Sequence, residues 1–239
     1  MNLPARVAEL AAVLFDLDGV LTPTAEVHRR AWAALFGPVL AERGAAPYRE
    51  EDYYRHIDGK PRYEGVRDLL DSRGITLPPG TPADPPDALT VAGLGNRKNA
   101  LFAASLAADG VDPFPGTVAV LERLAGAGKE LAVVSSSMNA RPVLAAAGLD
   151  RFFEVVVDGQ VAREAQLPGK PAPDTFCHAA QLLGVAPGAA AVVEDAVAGV
   201  AAGRAGGFGL VVGVDRGAGA EQLVSAGADC VVDELTELV

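Results

Sequence analysis

The sequence predicts an α/β fold: a parallel sheet covered by helices, with a helical segment inserted early in the chain. Short runs of valine, leucine and alanine recur along it, and each ends abruptly in polar residues. Helix-compatible stretches separate these runs, which is the alternation that builds parallel sheets. Between about residues 23 and 108 the apolar runs stop and helical patterning takes over.

The first expected strand is Ala12-Val13-Leu14-Phe15, which runs directly into Asp16-Leu17-Asp18-Gly19. Further strands are expected at residues 131–134, 155–157, 190–193, 210–214 and 230–232. Helices are expected at 117–125, 141–147, 174–183, 197–206 and 221–225. Glycines 148, 184 and 227 stand where helices can stop. In the inserted segment, helices are expected at 26–40, 65–72 and 97–108, with an acidic, aromatic stretch at 50–58. Residues 76–95 are rich in proline and glycine and read as a loop. The expected division is a discontinuous core, 1–22 and 109–239, around an insertion at 23–108.

The chain has 239 residues, half of them hydrophobic and 21% charged, which suits a folded core rather than a disordered polyelectrolyte. Its 31 acidic and 20 basic residues give a net charge of −11. That balance disfavours nonspecific nucleic-acid binding, so an anionic ligand needs a locally basic pocket. Cys177 and Cys230 lack the spacing of a zinc site, which leaves two ordinary thiols or a single disulfide. The opening residues carry no signal-peptide cleavage region, and no apolar run reaches membrane-spanning length. The expectation is a cytoplasmic protein without nucleic-acid or membrane partners.

Chemistry gathers where strands end. Asp16 and Asp18 leave one loop with Leu17 packed inward, so one carboxylate can attack an electrophilic phosphorus while the other handles a proton. Ser135, Ser136, Ser137 and Asn139 follow the second strand, where hydroxyls and amides can hold phosphate oxygens or cap a helix. Lys170, in Gly169-Lys170-Pro171-Ala172-Pro173-Asp174, can balance charge on a transferring group, and Asp174 can cap the helix that follows. Glu194 and Asp195 end the fourth strand and, with Asp16 and the Asp18 carbonyl, offer oxygen ligands suited to Mg²⁺. Singly, each of these is an ordinary turn, cap or surface charge; their shared placement makes the joint reading.

The ordered set DxDG, SSS, GKPxPD and ED resembles the haloacid dehalogenase-like superfamily, over nearly the whole chain. The resemblance implies a Rossmann-like core with an inserted helical type 1 cap. It also implies Asp16 as phosphorylated nucleophile, Asp18 as general acid/base, Ser135 and Lys170 as phosphate stabilisers, and Mg²⁺ held by Asp16, Asp18, Asp195 and Glu194. Within the cap, DLDGVLTPTAEVHRRAW, Gly59 with Arg62, and Arg97-Lys98-Asn99 are similar to the β-phosphoglucomutase-like subfamily. The similarity implies that Thr24 and His28, one helical turn apart, couple the cap to Asp18. Arg62 would then bind the nontransferring phosphate with Ser137 and Asn139, and Lys98 would contribute from the cap. Trp32 reads as a packing residue.

This sequence departs from the subfamily pattern at Asp58 and Met138, where lysines are expected, and both changes remove positive charge. The implied reaction is conversion of β-glucose 1-phosphate to glucose 6-phosphate by a monomer, with a hexose 1,6-bisphosphate as activator and intermediate. Water as acceptor would make the same site a sugar-phosphate phosphatase. Binding without turnover would make it a sensor.

Overall fold

The computed structural model describes residues 2–239. In chain order its elements are α1 (Leu3–Ala8), β1 (Ala12–Phe15), α2 (Thr24–Ala41), α3 (Glu50–His56), α4 (Arg62–Asp71), α5 (Val91–Asp109) and α6 (Thr117–Gly126). There follow β2 (Glu130–Val134), α7 (Ala140–Ala146), β3 (Val155–Val157), α8 (Gly159–Glu164), α9 (Asp174–Leu182), β4 (Ala190–Glu194), α10 (Val197–Ala205), β5 (Leu210–Val214), α11 (Ala220–Ala226) and β6 (Cys230–Val232). The described chain separates into two compact units, residues 1–23 with 111–239, and residues 24–110. Among the described residues no helix is long and apolar enough to cross a membrane.

The first unit is a Rossmann-like sheet of parallel strands in the order β3-β2-β1-β4-β5-β6. Every residue of β1, β4 and β5 is buried, as valine-rich strands covered on both faces require. Phe176, Ala179 and Ala180 of α9, Val200 and Ala202 of α10 and Leu223 of α11 belong to one core cluster with Leu14, Val134 and Val192 of the sheet. Small residues set how closely the helices approach: a Cβ on Gly203 of α10 would lie 3.1 Å from Val192 and 3.3 Å from Val211. Strand order reverses about β1, which pairs with β2 on one side and β4 on the other. Phe15 sits opposite both Val133 and Val193. The loops leaving β1, β2 and β4 therefore share the carboxyl end of the sheet at its switch point, where open α/β sheets bind ligands.

The expected strands all form, β2 and β4 each one residue longer than anticipated. Three short helices lie outside the expected ones: α3, which forms on the acidic, aromatic stretch at 50–58, and α1 and α8, where no element was expected. α1 is capped by Asn2, whose Oδ1 accepts from the Ala5 N–H at 3.1 Å, and α8 by Asp158, which accepts from the Gln160 and Val161 amides at 3.0 Å. Each is about one and a half turns long, too short for a periodic apolar face to announce it. Asp174 does not cap α9; it is that helix's first residue, with Pro173 at the cap position. Cys177 and Cys230 are both free thiols, which removes the disulfide alternative.

The second unit consists of α2 to α5 around Trp32, Leu35, Phe36, Val39, Leu40, Val66, Leu69, Leu70 and Leu94. Phe36 stacks between Trp32 and Tyr48, with ring centroids 5.5 and 5.8 Å away, so Trp32 is a packing residue as expected. Sequence and structure differ at α5, which begins at Val91 rather than near residue 97, inside the span expected to be loop. Thr90 caps it, its hydroxyl accepting from the Gly93 N–H at 2.9 Å. Gly93 and Gly95, which read as loop residues, lie within this helix at positions where a side chain has no room: a Cβ would lie 2.3 Å from the Ala88 carbonyl oxygen at Gly93 and 2.6 Å from the Tyr63 ring at Gly95.

Phe36→Ala should destabilise this unit by about 3–5 kcal/mol through lost burial and the cavity left behind. Trp32 is the only tryptophan, so its fluorescence during urea unfolding should report the lowered midpoint directly.

Candidate active site

At the centre of the first unit lies Lys170, its side chain 1% exposed. Its ammonium donates to Asp16 Oδ1 at 2.6 Å, Glu194 Oε1 at 2.6 Å and the Val134 carbonyl at 2.9 Å. All three ammonium protons are thereby used, and the Phe176 ring lies 4.9 Å from Nζ. The lysine reaches this point from the loop before α9, which turns through an Ala172 N–H to Gly169 carbonyl bond of 3.0 Å. Glu194 is fixed at its other oxygen by the Ala196 N–H at 2.8 Å. Gly199 of α10 permits this placement, since a Cβ there would lie 1.7 Å from Glu194 Oε1.

Burial alone would lower the Lys170 pKa, but Asp16 and Glu194 outweigh it and hold the ammonium above its ordinary value. Asp16 moves the other way from a normal carboxyl. Burial pushes it up to about 8, with Glu194 and Asp18 adding and Lys170 opposing.

The loop after β1 folds back tightly. The Thr22 N–H donates to the Leu17 carbonyl, the Gly19 N–H to the Thr22 carbonyl at 2.8 Å, and Leu17 is fully buried. Gly19 has φ +95°, and a Cβ on it would lie 1.9 Å from Asp195 Oδ2, so the Asp195 carboxylate is packed directly against the turn that presents Asp18. Arg216 Nε donates to the Gly19 carbonyl at 3.3 Å. From the end of β2, Ser135 Oγ donates to Asp18 Oδ2 at 3.2 Å and accepts from the Ser137 N–H at 3.0 Å. Ser137 Oγ accepts from the Asn139 N–H at 3.1 Å, and Asn139 stands at the cap position of α7. Ser136 and Met138 complete this half-buried loop. The structure thus brings together Asp16, Asp18, Ser135, Glu194 and Asp195 from three strand ends with Lys170, which lies not at a strand end as expected but in the loop between α8 and α9.

The remaining sequence-predicted residues lie in the second unit. Thr24 and His28 are buried on the first turns of α2. Lys98 of α5, also buried, donates to His28 Nδ1, since an ammonium has no acceptor to offer. The His28 ring stacks on Phe102 with centroids 4.0 Å apart, and Lys98 Nζ lies 5.1 Å from the rings of both Trp32 and Phe102. Gly59 takes φ +71° in the turn after α3, near Asp58. Arg62 opens α4, and its Nη2 donates to the Tyr63 hydroxyl at 3.3 Å and to Asn96 Oδ1 at 3.4 Å. Sequence reasoning did not single out Tyr63, Asn96 or Arg216. Tyr63 had a local signal, adjacency to Arg62, whereas Asn96 and Arg216 act through contacts distant in sequence.

Among the described residues no three acidic, histidine or cysteine groups form a ready cage for a metal ion. Mg²⁺ does not require one, because it is commonly held by one or two carboxylates and keeps several waters. Four carboxylates, Asp16, Asp18, Glu194 and Asp195, stand at the ends of two adjacent strands with a single buried ammonium among them. That deficit of positive charge suits a divalent cation.

The model of the family "haloacid dehalogenase-like hydrolase" matches residues 10–207, and the chain belongs to that family. A protein named beta-phosphoglucomutase from Mycobacterium tuberculosis (strain CDC 1551 / Oshkosh) is 52% identical over 249 aligned residues, covering 100% of this chain and 94% of that one. Beta-phosphoglucomutase of Bacillus subtilis (strain 168) is 32% identical, covering 96% and 92%. Among solved structures, CbbY from Rhodobacter sphaeroides in complex with phosphate superposes with a TM-score of 0.74 at 26% identity, covering 96% of each chain.

Lys170→Ala would leave Asp16 and Glu194 buried without their cation, and a loss of about 3–5 kcal/mol is expected in urea unfolding at neutral pH.

Proposed function

We propose that the protein is a Mg²⁺-dependent β-phosphoglucomutase that converts β-glucose 1-phosphate to glucose 6-phosphate. The observation that carries this reading is the full-length 52% identity to a protein of that name, joined to a paired Asp16 and Asp18 backed by a buried Lys170. Catalytic work is assigned to the core, residues 1–22 and 109–239, and phosphosugar selection to a cap, residues 23–108. A monomer in the cytoplasm suits a small phosphosugar substrate and two free thiols.

In this mechanism phosphorylated Asp16 gives its phosphoryl group to the 6-hydroxyl of β-glucose 1-phosphate, and Asp18 accepts the hydroxyl proton. The resulting hexose 1,6-bisphosphate turns around. Asp16 then takes the 1-phosphoryl group, the bond from phosphorus to the sugar oxygen breaks, and Asp18 returns its proton to that oxygen. Asp16 Oδ1 is held by Lys170, which leaves Oδ2 as the attacking atom. Ser135, whose hydroxyl lies 3.2 Å from Asp18 Oδ2, and Lys170 stabilise the transferring oxygens. Asp16, the Asp18 carbonyl and Asp195 would hold Mg²⁺, which supplies charge neutralisation at the phosphoryl group. Glu194 has one oxygen on Lys170 and the other on the Ala196 N–H, and it keeps that lysine charged. Arg62 takes the nontransferring phosphate with Lys98 as a further cap cation, Ser136, Ser137 and Asn139 supply donors from the core, and Thr24, His28 and Gly59 shape the cap's contribution.

Asp58 and Met138, which stand where lysines are expected, favour a second reading, a sugar-phosphate phosphatase with a looser distal grip. One assay separates the two. With Mg²⁺, β-glucose 1-phosphate and catalytic glucose 1,6-bisphosphate, glucose 6-phosphate should form with little release of inorganic phosphate. Asp16→Asn should abolish it, and Asp18→Asn should lower it about 10²–10⁴-fold. Stoichiometric phosphate release without isomerisation would make the phosphatase reading primary, and tight binding without phosphoenzyme or turnover would make the protein a sensor.

Mg²⁺ at about 100 times its Kd should stabilise the folded protein by about 2.7 kcal/mol, a rise of about 5–10 °C in melting temperature. Asp195→Asn should remove most of that rise; an undiminished rise would displace Asp195 from the metal set.

A further inference from the structure

Residues 78–90, expected to be featureless loop, form a built structure. Asp84 accepts from the Thr81 hydroxyl at 2.8 Å and from the Thr90 hydroxyl at 2.6 Å. The Val91 N–H donates to the Pro78 carbonyl at 2.9 Å and the Ala92 N–H to the Pro79 carbonyl at 3.1 Å, so the loop is stitched to the first turn of α5. Arg97 Nε donates to the Pro86 carbonyl at 2.8 Å.

One side chain links this loop to Arg62. Asn96 Nδ2 donates to the Asp84 carbonyl at 2.8 Å and the Pro82 carbonyl at 3.2 Å. Its Oδ1 accepts from the Tyr63 hydroxyl at 2.9 Å and from Arg62 Nη2 at 3.4 Å. A flipped amide would set carbonyl against carbonyl on the loop side and donor against donor at the guanidinium, so the two loop carbonyls determine which atom Arg62 meets. Gly95 seats this arrangement, since a Cβ there would lie 2.6 Å from the Tyr63 ring and 3.4 Å from Arg62 Cγ. The Arg62 guanidinium carbon lies 5.0 Å from the Tyr63 ring centroid.

We propose that Asn96 and Tyr63 are positioning residues for the phosphosugar, and that the 78–90 loop acts through Asn96 to hold the Arg62 guanidinium ready for the nontransferring phosphate. This rests on the assignment of Arg62 to that phosphate. A planar fork held in place before the ligand arrives loses less freedom on binding, so the benefit falls on affinity rather than on the phosphoryl-transfer step.

The test is a double-mutant cycle of Asn96→Leu and Arg62→Ala. It is read as the Kd of β-glucose 1-phosphate by calorimetry with Mg²⁺ present, together with KM and kcat in the mutase assay. Asn96→Leu should raise Kd and KM about 5–20-fold with kcat within about twofold, the loss of one or two hydrogen bonds, one of them charge-assisted. In the Arg62→Ala background the same substitution should add nothing further. A rise with Arg62→Ala but none with Asn96→Leu would overturn the positioning role while leaving Arg62 as the phosphate ligand. Fully additive effects would also overturn it, because Asn96 would then act elsewhere than through Arg62. No rise with Arg62→Ala would overturn the assignment of Arg62 and this proposal with it. Tyr63→Phe removes one hydroxyl without reshaping the packing and should show a smaller rise in the same direction, which keeps the test available if Asn96→Leu fails to fold.

Discussion

An ammonium ion stripped of water is stable only where acceptors replace every hydrogen bond it has lost, and Lys170 meets that condition with Asp16, Glu194 and the Val134 carbonyl. These acceptors come from the ends of three adjacent strands, β1, β2 and β4, so the ammonium can be satisfied only when the sheet has the right neighbours in register. Charge and fold depend on one another here. The valine-rich strands bring the acids together, and the acids make a buried lysine tolerable where a transferring phosphoryl group needs positive charge.

Around this pair the other reactive groups are held by backbone rather than by further charges. Gly19 lets the turn carrying Asp18 lie against Asp195, and Gly199 lets α10 lie against Glu194. Ser135 ties the β2 loop to Asp18. Small residues at these approaches do for the acids what the alanines of α9 and α10 do for the sheet: they let polar and apolar groups approach at contact distance without strain.

Much of the core was legible in the sequence because its signals are local. A buried strand is a continuous apolar run, and a strand-end site is whatever polar residue terminates it, so Asp16, Ser135, Glu194 and Asp195 could be placed from one dimension. The start of α5 was not legible. Gly93 and Gly95 have poor helix propensity, and they stand in this helix because Ala88 and Tyr63 occupy the space that any larger residue's side chain would need. Asn96 was hidden for a related reason: its four partners lie 12 to 34 residues away, at separations no periodicity encodes.

Helix α5 carries two polar anchors, Asn96 facing Arg62 and Lys98 facing His28. Successive residues on a helix are turned about 100° from one another, so two side chains separated by two positions point away from each other and share one rigid axis. The loop stitched to the first turn sets where that axis begins. Changing its length would displace the Pro78 and Pro79 carbonyls from that first turn and the Pro82 and Asp84 carbonyls from Asn96, so loop length in this chain cannot drift as freely as surface connections normally do.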